Sequence, residues 1–88
     1  MNQSILFPDI QSWDAELRTI RFPAQYSGAL IECILTSAEL EKIAGTKIEG
    51  EQQALEIFNQ NRFEIEELAE TLIEEEVFTP EGVIEVVS

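Results

Sequence analysis

Apolar and polar residues run in short strand-like blocks over the first third of the chain, then shift to a spacing of three and four. Residues 5–7, "ILF", read as a short strand closed by Pro8 and Asp9, a proline-aspartate turn pair. Residues 17–24, "LRTIRFPA", and 29–36, "ALIECILT", are β-branched and aromatic enough to be strands, with "QYSG" between them as a four-residue hairpin loop. That loop sets Ala24 opposite Ala29, Phe22 opposite Ile31, Ile20 opposite Cys33 and Arg21 opposite Glu32, so the one carboxylate of an apolar strand meets a cation. Thr36 with Glu39 three residues later is a capping box that opens a short helix ended by Gly45. Gly50 then caps a long helix over 51–76. On a wheel of 100° per residue, Ala54, Leu55, Ile65, Leu68, Ala69, Leu72 and Ile73 fall within about 80° of Phe58, one broad core-facing stripe. "TPEG" at 79–82 suits a type I turn, and "VIEVV" at 83–87 a last strand. The pattern predicts one α+β domain over residues 1–88, in the order β-β-β-α-α-β, with an antiparallel sheet and two helices on one face.

Strand 29–36 is apolar on both sides, with Leu30 and Ile34 opposite Ile31, Cys33 and Leu35, so something is expected to cover the second face. Ile5, Phe7 and Trp13 of the N-terminal segment would do so within one chain, and a sister subunit in a homodimer. Trp13, between strand blocks, is expected to plug a sheet edge rather than hold a ligand.

Charge changes the picture most. The 88 residues carry 5 Lys and Arg against 18 Asp and Glu, for a net charge of −13. Residues 49–85 hold twelve Glu with Arg62 as their one cation, whereas residues 1–48 hold six acids and four cations. Such a field repels phosphate backbones and anionic lipid, which argues against direct nucleic-acid or membrane binding and in favour of a basic protein partner. No window is long and apolar enough to span a bilayer. The N-terminal "MNQSILFPDIQSW" lacks a basic stretch and an apolar run of signal length, and a single Cys33 cannot form an internal disulfide. These features predict a cytoplasmic protein.

The densest acidic stretch is "EIEELAETLIEEE", residues 64–76. On the same wheel Glu56, Glu66, Glu67, Glu70 and Glu74 lie about 80–180° from Phe58, and Phe63 stands among them at about 140°. A solvated helix face explains their position but not their sign. Glu66 with Glu70 and Glu70 with Glu74 are like-charge i, i+4 pairs costing about 0.2–0.5 kcal/mol each, and glutamates at 74–76 sit where the helix dipole prefers cations. Glu56, Phe63, Glu67, Glu70 and Glu74 are therefore the candidate partner-binding residues.

Catalytic and cofactor chemistry finds little footing. The chain has no histidine to ligate a metal beside these outward glutamates, no calcium-loop spacing and no glycine-rich phosphate loop. Cys33 lies mid-strand without a histidine to activate it and reads as a small hydrophobe. No catalytic residue, cofactor or metal is assigned, and enzymatic activity is not expected.

"ILFPD", "RFPA", "GALIECILTSAEL" and "FNQNRFEIEELAE", in this order and at these separations, resemble the small bacterial proteins of Domain of Unknown Function family 1488. The resemblance covers roughly residues 5–76 and implies a compact α+β domain. It implies no activity, cofactor or site residue. Two functional expectations stand: an interaction module docking a basic protein through its acidic helix face, in its sharpest form as a mimic of DNA, and a structural homodimer without ligand.

Overall fold

A computed structural model describes residues 5–87 of the chain. Its elements run β1 (Ile5–Leu6), β2 (Ser12–Asp14), β3 (Thr19–Tyr26), β4 (Ala29–Thr36), α1 (Ser37–Ala44), α2 (Glu51–Gln60), α3 (Arg62–Glu74) and β5 (Ile84–Glu85). The fold is α+β, a five-stranded, mostly antiparallel sheet with three helices on one face. β3 and β4 form the central hairpin, β1 and β2 both pair antiparallel with the outer edge of β3, and β5 closes the other side of β4.

The hairpin turns in two residues rather than four. Ser27 and Gly28 have φ of 53° and 82°, both left-handed, as a turn of type I′ requires to match strand twist. Gln25 and Tyr26 consequently extend β3, and Arg21 stands opposite Ile34 while Phe22 faces Cys33. The register thus differs by two residues from the one the loop predicts. An even shift leaves every side chain on its expected face. Arg21 still bonds the Glu32 carboxylate, now diagonally across the strands, and lies 3.7 Å from Asp14 Oδ2.

The same register explains a proline inside a long strand. Tyr26 and Ala29 close the hairpin, so by antiparallel alternation residues 21, 23 and 25 direct their N–H groups away from β4. At that outer edge Gln25 pairs with β1 and Arg21 with β2, and Pro23 falls in the gap between them. Its missing donor costs no ladder bond.

Ile20, Phe22 and Ala24 of β3, Cys33 and Leu35 of β4, and Ile84 of β5 are fully buried, all on the side that meets Leu40, Ala54, Phe58, Ile65 and Ala69 of the helices. Phe7, Phe22 and Phe58 line up through this core, with ring centroids 6.3 and 5.1 Å apart.

Further details differ from the sequence pattern. β5 runs parallel to β4, placed by the α3 crossover before it. Ser12–Asp14 is a strand of its own, in which Trp13 pairs with Ile20 and packs against the core at the sheet edge. The long helix is two helices divided at Asn61 (φ −111°, ψ 18°), whose side-chain amide donates to the Ile57 carbonyl at 2.9 Å and so competes for the helix's own acceptor.

Helix α3 ends at Glu74, before the predicted 76. The N–H of Glu76 bonds the Ile73 carbonyl and that of Val77 the Leu72 carbonyl, both at 3.0 Å, with Glu76 in the left-handed region at φ 59°. This is a Schellman cap with glutamate where glycine is favoured, at the helix end that repels anions. Glu76→Gly is expected to raise stability by about 1 kcal/mol, and a urea midpoint at or below the parent's would contradict that.

Candidate functional site

The broken helix keeps the expected division of faces. Ile65, Ala69 and Ile73 are buried, Leu68 and Leu72 are half-buried, and Glu64, Glu67 and Glu74 are exposed. Phe63 opens the outward face of α3 and is 77% exposed, the most exposed large hydrophobic side chain described.

Two depressions border it. One of about 620 Å³ runs along α3 beside Phe63, Glu64, Glu67, Leu68, Glu70 and Thr71. The other, about 170 Å³, lies between α3 and β1, where Ile5, Phe7 and Phe63 supply apolar wall and Glu66, Glu67 and Glu70 supply the rim. Phe63, Glu67 and Glu70 are thus brought together, and Glu74 lies one turn beyond Glu70 on the same helix. Glu56 stands apart, on α2, where it borders a separate depression with Glu49, Gly50, Glu51, Gln52 and Gln53.

Among the described residues Glu64, Glu67, Glu70 and Glu74 have no ion-pair partner. The cation of this half is committed elsewhere. Arg62 donates from Nε to Glu66 at 2.6 Å, from Nη1 to Gln11 at 2.6 Å and from Nη2 to the Pro8 carbonyl at 2.6 Å. Its guanidinium also lies 5.3 Å from the centre of the Phe58 ring, and Asp9 Oδ1 is 3.6 Å from Nη1. It fastens the start of α3 to the segment joining β1 and β2, and Glu66 belongs to that fastening rather than to the open rim. No local sequence signal announces this role, because Pro8 and Gln11 lie more than fifty residues upstream.

Repulsion along α3 is therefore relieved at Glu66 and unrelieved at Glu67, Glu70 and Glu74. Added salt screens like charges separated by about a Debye length of 8–10 Å or more. The melting temperature at neutral pH is expected to rise from low to moderate sodium chloride; a flat or falling midpoint would show the carboxylates already compensated.

Cys33 is fully buried, and burial, helped by the nearby charge of Glu32, pushes its thiol up to about 12. A thiol so far from ionisation is a packing group rather than a nucleophile. Among the described residues no three His, Cys, Asp or Glu side chains converge as a metal site, and no helix is long and apolar enough to cross a membrane.

The profile of the family described as "Protein of unknown function (DUF1488)" matches residues 5–86. The chain belongs to this family. It is 35% identical over 83 residues to "Uncharacterized protein YrdB" of Escherichia coli (strain K12), covering 93% of this chain and 94% of that protein, and 34% identical, with the same coverage, to the YrdB of Shigella flexneri. A crystal structure of a DUF1488 protein of unknown function from Shewanella loihica PV-4 superimposes with a TM-score of 0.91 at 48% identity, over 98% of this chain and 94% of that one. The family brings the α+β fold and its bacterial setting, and its descriptions name no activity or ligand.

Proposed function

We propose that this DUF1488 protein is a non-enzymatic interaction module of the bacterial cytoplasm whose α3 face docks a basic protein surface. The observation that carries the reading is Phe63, 77% exposed on a face whose Glu64, Glu67, Glu70 and Glu74 lack ion-pair partners among the described residues. Charge steers such an encounter, and a central aromatic supplies short-range affinity. The apolar notch formed with Ile5 and Phe7 offers a seat for the stem of a partner lysine or arginine, whose head would meet the rim of Glu67 and Glu70. Glu56, on α2, extends the acidic field rather than the notch.

Affinity capture from lysate, with parent and variants compared at low and high salt, tests this. Phe63→Ser, and Glu67→Lys combined with Glu70→Lys, are expected to stay folded, because all three side chains border solvent. Both variants are expected to lose a basic partner that the parent retains at low salt and releases at high salt. Recovery of the same proteins by parent and variants would overturn the reading. If the captured partner binds DNA and the added domain displaces it from DNA, the sharper form, a nucleic-acid mimic, follows.

A further inference from the structure

Among the described residues the sheet has helices on one face only, and Ile5, Phe7 and Trp13, expected to cover the other, all pack on the helix side. Strand register places Leu6, Pro23, Leu30, Ile34 and the Arg21 to Glu32 pair on the opposite, open face. Leu30 is 71% exposed there and Leu6 59%, and they stand in one row across the sheet with Gln25 between them. We propose that this open face is a homodimer contact, its occupant the same face of a second copy of the chain.

Two features of the face favour a copy of the same chain. The first is charge. The register puts Asp14, Glu32 and Glu85 on this side, and Arg21 pairs with two of them, whereas the densest acidic surface lies on α3. A basic partner is drawn to α3 instead. Two copies meeting sheet to sheet keep their acidic helix faces outermost, roughly 30 Å apart given sheets about 10 Å apart and helices about 10 Å thick, which is several Debye lengths at physiological salt.

The second is shape. A depression of about 420 Å³ lies on this face against Ser12, Arg21, Pro23, Leu30 and Glu32, with Ile10, 62% exposed, at its margin. Leu6 projects from the same face outside it. A projection and a hollow on one surface are what a two-fold contact needs, each copy's Leu6 entering the other's hollow.

Sedimentation velocity of the full chain across a concentration series tests the proposal. The parent is expected to move from the 10.0 kDa monomer to twice that mass as concentration rises. Leu30→Asp is expected to hold it at the monomer mass, with Leu6→Asp as the second variant, each verified as folded by circular dichroism. Phe63→Ser is expected to dimerise like the parent. A parent that stays at 10.0 kDa at millimolar concentration overturns the proposal, as does a dimer that survives both aspartate variants or is dissolved by Phe63→Ser.

Discussion

Replacing Phe58 by alanine is expected to destabilise the domain by about 3–5 kcal/mol, the range for truncating a fully buried phenylalanine. Phe58 is fully buried on α2, its ring is 5.1 Å from that of Phe22 at 54°, and the Arg62 guanidinium lies over it. Truncation leaves a cavity at the junction of sheet, α2 and α3, and also removes the aromatic contacts to Phe22 and Arg62. A domain of this length has only about 5–15 kcal/mol in total, so the variant should melt some tens of degrees lower or fail to fold at physiological temperature. A urea titration showing a loss below about 1.5 kcal/mol would mean that Phe7 and Phe22 close the gap and that the aromatic row is not the centre of the core.

Arg62→Ala is expected to cost about 2–4 kcal/mol, large for a side chain that is not hydrophobic. The substitution breaks the bonds to Glu66, Gln11 and the Pro8 carbonyl together and strips one face of Phe58. Arg62→Lys should recover only a minor part, since one ammonium cannot reproduce the planar fork. Because Arg62 and Phe58 touch, the double alanine variant should lose less than the sum of the two single losses. An Arg62→Ala melt within about 0.5 kcal/mol of the parent would mark these bonds as surface contacts of little weight.

What could be read in advance, and what could not, follows the range of the interactions. The stripe on residues 51–76 was visible because burial repeats at helical spacing, and it survived the break at Asn61 with Phe63 outward and Ile65 inward. The Arg21 to Glu32 pair was legible as a charge match between neighbouring strands, although the turn that sets their register was not. "QYSG" does not reveal that Ser27 adopts positive φ, and that one backbone choice moved the pairing by two residues. Ser12–Asp14 is too short and polar to advertise a strand and forms by docking on Thr19, Ile20 and Arg21. The parallel setting of β5 and the fastening by Arg62 depend on contacts across most of the chain, which local patterning does not carry. At the candidate site, exposure of Phe63, Glu67 and Glu74 was legible from the wheel; the notch with Ile5 and Phe7, and the separation of Glu56, needed the fold.

Photo-cross-linking in living cells, with a photoreactive phenylalanine analogue in place of Phe63, tests the docking face most directly. The expected result is a discrete adduct with a basic protein, lost when Glu67→Lys and Glu70→Lys are added to the same chain and absent when the analogue replaces Gln52 on α2. No adduct above background, or the same adducts with the lysines in place, would contradict it and leave the acidic face of α3 as solvated surface alone.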